Sequence, residues 1–254
     1  MRRIFAAIAM LAALAGCQNG GDGAKNQARM EPFAVDIPDN ANLVADADGW
    51  ISLFDGKTLE GWRGYRMHKM PMGWHVTDEG ELYFDGKGKG DIVTTHQFAD
   101  FELALEWKIS PGGNSGIFYR VSEDDTATYF TGPEMQVLDN GAHKDGKNPL
   151  TSAGSNYALH APSRDVTRPV GEYNEARIVV QGNHVEQWLN GEKLVAYELH
   201  SPGWNELVAN SKFSKMSNYG KNRTGHIALQ DHGNEVWYRN IRIRLLDAAP
   251  GNAK

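Results

Sequence analysis

Three polar clusters carry the residue types from which chemistry could be built. In Glu134-Met135-Gln136-Val137-Leu138-Asp139, alternation along an extended chain puts Glu134 and Gln136 on one face and Met135 and Val137 on the other. A carboxylate beside an amide both accepts and donates hydrogen bonds, which suits a polyhydroxylated ligand such as a sugar; a plain solvated strand face has the same pattern. In Asn114-Ser115-Gly116-Ile117-Phe118-Tyr119-Arg120, Phe118 and Arg120 share one face, and Ser115, Ile117 and Tyr119 share the other. The rigid guanidinium fork of Arg120 can fix a hydroxyl or carboxylate, or simply pair with Glu134 as a structural ion pair. Gln230-Asp231-His232-Gly233 sets Gln230 and His232 together, and His143 lies four residues beyond Asp139. A single histidine more often packs or faces solvent than catalyses, so these clusters gain force only if the fold brings them together. Glycine-rich phosphate loops, a Gly-x-Ser-x-Gly elbow, a His-Glu-x-x-His pair and cysteine-based metal motifs are all missing.

The elements that must position these residues are strands. Phe101, Leu103, Leu105, Trp107 and Ile109 alternate with Glu102, Ala104, Glu106 and Lys108, a period of two with one buried and one wet face. His184–Leu189, then Asn190-Gly191, then Lys193–Tyr197 predicts a hairpin, because Asn-Gly tolerates positive φ at both central positions. Further strands are expected at Trp50–Phe54, Trp74–Thr77, Glu81–Phe84, Asp91–Thr94, Gly116–Val121, Glu134–Leu138, Glu175–Gln181, His226–Gln230 and Val236–Leu245, separated by Gly, Asn, Asp and Pro clusters. Eleven or twelve short strands without alternating helices predict an all-β sandwich of two antiparallel sheets. One short helix is expected from Gly203 to Lys212, capped by Ser201-Pro202, with Trp204, Leu207 and Val208 on one face.

The 254 residues suit a single large domain, and 41% hydrophobic with 10% aromatic residues is enough for a sizeable core. A formal charge of −6 lacks the basic footprint of a nucleic-acid binder. The first residues read as a leader: Arg2 and Arg3, then an apolar run from Ile4 to Leu14 that is too short to span a bilayer. Leu14-Ala15-Gly16-Cys17 is similar to the bacterial lipobox, and Cys17 is the one cysteine of the chain. The organisation expected is a lipoprotein signal peptide over 1–16, lipidated Cys17 with a Gly-rich tether and lead-in over 17–48, one domain over 49–247, and a tail over 248–254. Two or more acyl chains hold a protein stably on a membrane, so the protein is expected to be lipid-anchored in a bacterial cell envelope, at the outer membrane or facing the periplasm. Gln18, rather than Asp, after the cysteine favours the outer membrane under enterobacterial-type sorting.

Five stretches in order resemble the 3-keto-disaccharide hydrolase domain family: Leu53-Phe54-Asp55-Gly56-Lys57-Thr58-Leu59-Glu60-Gly61-Trp62, Gly113–Arg120, Gly132–Asp139, Trp188-Leu189-Asn190-Gly191, and Gly225–Gly233. The resemblance covers about Gly49 to Leu246 and implies a concanavalin A-like jelly roll with a ligand site on its concave sheet. It also implies chemistry on 3-keto-glycosides. A ketone at C3 acidifies the C2 hydrogen, so that a base removes it, the C1 substituent leaves by β-elimination, and water adds to the enone. The chain lacks the Glu-x-Asp-x-x-Glu pattern of family 16 glycoside hydrolases, since Gln136 holds the middle place and Asp139 the last, so the paired-carboxylate retaining mechanism is not expected.

Under this resemblance Glu134 and His143 are the acid/base candidates. Arg120, Gln136, Gln230 and His232 are expected to contact the sugar and its enolate, with Tyr157 at the rim. Asp139 is expected to orient His143 or to help bind a divalent ion. Such an ion would stabilise an enolate, but no ligand spacing here is diagnostic and no cofactor is assigned. The alternative is a non-catalytic, lectin-like carbohydrate-binding module on the same sandwich. Convergence of Glu134, His143 and His232 would favour the enzyme; an aromatic platform without a base would favour the module.

Overall fold

A computed structural model describes residues 33–248. The expected leader, Cys17 and most of the tether and tail lie outside the described residues. In chain order the elements are β1 (Trp50–Ser52), β2 (Trp62–Gly64), β3 (Trp74–Val76), β4 (Leu82–Asp85), β5 (Ile92–Thr94), β6 (Phe101–Ile109), β7 (Asn114–Val121), β8 (Glu134–Leu138), β9 (Asn174–Gln181), β10 (His184–Leu189), β11 (Glu192–Glu198), α1 (Pro202–Ala209), β12 (His226–Leu229) and β13 (Glu235–Leu245). Every pairing is antiparallel. One sheet runs β11-β10-β9-β6-β13-β4-β3, with β1 also on β13, and the other runs β2-β5-β12-β7-β8. This is the two-sheet antiparallel sandwich that the strand periodicity predicts and the jelly roll that the resemblance implies.

Alternation decides what the sheets bury. On β6, Phe101, Leu103, Leu105, Trp107 and Ile109 are all buried and pack with Ile117 and Tyr119 of β7, Met135 and Val137 of β8, and Ile227 and Leu229 of β12. The Asn190-Gly191 turn forms as expected, with φ of 50° and 83°. α1 ends at Ala209, earlier than expected. Ser201 Oγ accepts from Trp204 N at 3.1 Å, and Pro202 occupies the first turn, where its missing N–H costs nothing. β2 was not anticipated: Trp62–Gly64 is short and lies inside a turn-rich stretch, and it joins the sheet only through β5.

The second faces of the five-stranded sheet's strands carry the side chains that point away from the main core. Register sets Glu134 beside Phe118 and Gln136 beside Gly116, Phe118 beside Ala228, and Ala228 beside Val93. Val93, Phe118, Val121, Ala228 and Tyr65 make a small apolar cluster of their own there, and polar groups lie on either side of it. Among the described residues no helix is long and apolar enough to cross a membrane.

Candidate functional site

One end of this face opens into a cleft of about 510 Å³, within the range of small-ligand sites. Its floor comes from β8 and β7. Glu134 is 6% exposed, and its carboxyl lies flat over Gly116: a Cβ built there would meet Glu134 Oε1 at 2.2 Å. Only a glycine on the neighbouring strand leaves this space. With its amide nitrogen turned toward the available acceptors, Gln136 donates to Ser115 O at 3.1 Å and to Glu134 Oε1 at 3.0 Å. Burial pushes the Glu134 carboxyl up to about 8; Lys212 opposes this, and the carboxylates of Asp91 and Asp145 add to it. Among the described residues no cation forms an ion pair with Glu134.

The walls come from loops that the strands hold in place. Segment 154–157 lies along β8, with Gln136 N donating to Ser155 O at 3.1 Å, Gly154 N to Gln136 O at 2.9 Å and Tyr157 N to Glu134 O at 3.0 Å. This sets Tyr157 beside the carboxyl. Tyr157 Oη donates to Asp145 Oδ2 at 3.3 Å, and the Lys212 ammonium stands 4.0 Å above the Tyr157 ring. Lys212 opens a short 3-10 turn (Lys212–Lys215) that Ser211 caps. Its neighbour Phe213 is buried at the end of a column of stacked rings: Phe213 to Tyr219 at 3.9 Å, Tyr219 to Trp204 at 6.0 Å, and Trp204 to Tyr197 at 5.3 Å. The column fixes where Lys212 emerges. Desolvation lowers its ammonium, against the pull of Glu134 and Asp145.

Opposite stand Asp91, at the start of β5, and the turn after β12. Asp231 N donates to Asp91 Oδ1 at 3.0 Å, and Gly90 N donates to Asp231 Oδ2 at 2.9 Å, so the two loops hold each other. Asp91 also takes the Thr128 hydroxyl. Burial raises it to about 6, with Asp231 adding to the shift. Gln230 is held by its backbone, which donates to Gly116 O at 3.0 Å and accepts from Ser115 Oγ at 2.7 Å. Its side-chain Oε1 is buried without a partner, which leaves an acceptor for a ligand hydroxyl. The His232 imidazole is lowered by burial, and the His143 ring lies 6.3 Å from it, edge to face. Asn114, Tyr65, Met67, Thr126, Ala127 and Tyr129 complete the lining.

Of the expected site residues, Glu134, Gln136, Tyr157, Gln230 and His232 line this cleft, and His143 sits beside His232. Arg120 does not reach it. It occupies a bulge, with φ of 51°, where the β7–β12 register shifts. Its guanidinium donates to Ala99 O at 3.0 and 2.8 Å and to Asp100 Oδ1 at 3.1 Å, a structural clamp rather than a sugar contact or a partner of Glu134. Asp139 does not enter the cleft either. Its carboxylate caps loop amides, accepting from Gly112 N at 2.7 Å, Gly141 N at 2.9 Å and Ala142 N at 3.2 Å. It meets His143 only through its backbone carbonyl, at 3.0 Å. Among the described residues no group of three or more His, Cys, Asp or Glu converges to hold a metal ion. Lys212, Asp91, Asp145, Asp231 and Asn114 were not singled out in the sequence. Asn114, Asp91 and Asp231 stand at the ends of strands whose pattern is visible in the sequence, whereas Asp145 and Lys212 sit in short 3-10 turns that left no signal.

Residues 49–244 match the model of a 3-keto-alpha-glucoside-1,2-lyase-like domain. A 3-keto-disaccharide hydrolase of Bacteroides thetaiotaomicron is 39% identical over 240 residues, covering 82% of each chain. The crystal structure of a candidate glycosyl hydrolase from Parabacteroides distasonis is 33% identical, with a TM-score of 0.73, over 79% of this chain and 95% of that one. A second such structure from the same organism is 28% identical, with a TM-score of 0.61, over 78% and 99%. This chain is a carbohydrate-active enzyme.

Proposed function

From the premise that the chain belongs to the 3-keto-alpha-glucoside-1,2-lyase-like family, we propose that its cleft cleaves 3-keto-glycosides by β-elimination followed by hydration. The observation that carries this reading is the Glu134 carboxyl, buried at the floor of an open cleft, raised to about 8 and without an ion-pair partner. A conventional glycosidase needs two free carboxyls flanking the scissile bond; here the other lining carboxyls, Asp91 and Asp231, are tied up by loop amides and the Thr128 hydroxyl, and Glu134 is accompanied by an amide, a lysine and imidazoles.

In this reading Glu134, ionised, takes the C2 proton. The C2–H electron pair becomes the enolate, whose negative oxygen, formerly the C3 ketone, faces the Lys212 ammonium. Collapse of the enolate breaks the C1–O bond, and the leaving oxygen takes a proton from an imidazolium of His232 or His143. Water then adds to C1 of the enone, giving one proton to the neutral imidazole and so recharging it, while the Glu134 carboxyl returns its proton to C2. The sum is hydrolysis, one water consumed, with a 3-keto sugar and a free alcohol as products. Gln136, Asn114 and the unpaired Gln230 Oε1 bind hydroxyls and fix the ring. A raised pKa gives Glu134 more basicity for a carbon acid, with a smaller ionised fraction at neutral pH.

The test is incubation of the purified domain with 3-keto-trehalose, 3-keto-lactose and the unoxidised parents, read by mass spectrometry. Cleavage of the keto sugars alone is expected; equal cleavage of the parents would overturn the reading. We further propose that Cys17 carries the lipid anchor, on the strength of Leu14-Ala15-Gly16-Cys17. Cys17→Ala should abolish acyl labelling and membrane retention, and unchanged labelling would contradict it.

A further inference from the structure

The outer face of the eight-stranded sheet carries a groove that the cleft chemistry does not use. Register places one row of side chains across four strands: Trp188 of β10 opposite Arg177 of β9, Arg177 opposite Ala104 of β6, and Ala104 opposite Arg242 of β13. Arg242 in turn lies opposite Ser52 of β1, two residues after Trp50. With strands about 4.8 Å apart, the row from β10 to β1 spans about 19 Å. Ala104 is the low point, and an indole stands at each end. The groove has two basins, about 340 Å³ and about 630 Å³, that share Trp50, Glu106, Asn240 and Arg242 as lining.

Both indoles are held in place. Trp188 Nε1 donates to Glu186 Oε2 at 2.9 Å, with Arg177 4.9 Å from the ring centre, and Arg242 and Arg244 lie 4.6 and 4.9 Å from the Trp50 ring. The polar groups around them are mostly committed. Glu102 binds Arg177 and Arg244, Glu106 binds Arg239, and Glu175 binds Arg168. Arg242 is the exception: among the described residues its side chain makes no ion pair or hydrogen bond. Its donors face the groove with no acceptor beyond the indole.

We propose that this groove is a second carbohydrate-binding site, remote from the cleft, that takes a segment of a neutral polysaccharide. The amphipathic indoles offer ring faces and edges to the C–H surfaces of pyranose rings. Arg242 and the Asn240 amide, together with the paired carboxylates, both donate to and accept from hydroxyls. Each lining carboxylate, Glu102, Glu106 and Glu175, already holds a guanidinium, which leaves Arg242 as the one uncommitted lining cation of the narrower basin among the described residues, a donor for a hydroxyl rather than the row of free cations a polyanion requires. The site would hold the enzyme on a glycan while the cleft, on the other sheet, works on smaller products.

The test is affinity electrophoresis of the whole protein through gels containing laminarin, glucomannan or dextran, with polygalacturonate as the charged probe. At least one neutral polysaccharide should retard the protein. Trp188→Ala and Ala104→Arg, the latter filling the floor from an outward-facing position, should each lose most of the retardation, and Glu134→Gln should keep it. Ala104→Arg should cleave 3-keto-trehalose as the parent does, so failure of the groove and failure of the proposed reaction read out separately. Retardation by polygalacturonate alone, retardation that survives in both groove variants, or none from any neutral polysaccharide would overturn the proposal.

Discussion

The outer face of the five-stranded sheet holds two buried carboxylates in opposite circumstances, on either side of the Val93, Phe118 and Ala228 row. Glu123 is 8% exposed and Glu134 is 6% exposed. Glu123 receives both arms of Arg63 at 2.7 Å and the Arg66 amide at 2.6 Å. His226 stands 3.8 Å away, its Nδ1 against Thr94 O at 2.7 Å and its Nε2 against Gln97 Nε2 at 3.0 Å. Burial keeps that imidazole toward its neutral form. Every charge at this end has a partner in a bidentate or well-directed geometry. Glu134 has an amide, a glycine-shaped gap and an unpaired lysine across open space. Burial raises the Glu134 carboxyl toward the neutral acid. A fully partnered carboxylate holds the sheet together, whereas an under-partnered one facing a cleft is available to take a proton.

The sharpest way to break this comparison is to remove basicity at one end and charge pairing at the other. Glu134→Gln keeps the shape and should lower kcat by about 10²–10⁴ on a 3-keto-glycoside, the usual loss of a general base, without lowering the melting temperature. Arg63→Ala should do the reverse. Breaking a buried pair leaves an uncompensated charge and costs about 3–5 kcal/mol, so chemical denaturation should show a large stability loss while the folded fraction turns over normally. A catalytic loss in Arg63→Ala beyond its unfolded fraction would erase the distinction. Smaller in effect is Gly116→Ala. Its methyl meets the Glu134 carboxyl and should displace it, and a misplacement near 1 Å costs about 10²-fold; a kinetically silent variant would contradict the packing described.

The pH dependence separates the ends more finely. A Glu134 carboxyl at about 8 in the fold, against an ordinary 4.5, holds a proton that the unfolded chain has lost between those values. The folded state then binds more protons, and stability falls as pH rises through that window, by at most about 1.4 kcal/mol per unit. Glu134→Gln should therefore gain on the parent in stability between pH 5 and 8 and show no advantage near pH 4. Thermal melts at both ends of that range check it. The reaction needs Glu134 ionised and an imidazole charged, and burial lowers the His232 imidazole, so kcat/KM should trace a bell whose alkaline limb lies near the Glu134 value of about 8.

How much of this was legible in the sequence follows from how local each feature is. The alternation of Phe101–Ile109, the Asn190-Gly191 turn and the shared face of Glu134 and Gln136 are set by neighbours in the chain, and all three are present in the fold. Arg120 misled because strand alternation was carried through a residue where the ladder slips. One extra residue on β7 and a positive φ send its guanidinium to Ala99 and Asp100. Lys212 left no trace, because its place depends on Phe213 joining a column of rings whose members are distant in sequence. Asp91 and Asp231 meet across 140 residues, a contact that only the closed sandwich creates.

The central claim is that the cleft removes a proton from carbon. A 3-keto-trehalose deuterated at C2 of the oxidised ring, cleaved to completion in ordinary water, reports on it directly. The account predicts that the released 3-keto sugar has exchanged its label with solvent, or that cleavage shows a primary isotope effect, and that Glu134→Gln suppresses both together with turnover. Full retention of deuterium through complete cleavage, at a rate equal to that of the undeuterated compound, would contradict it.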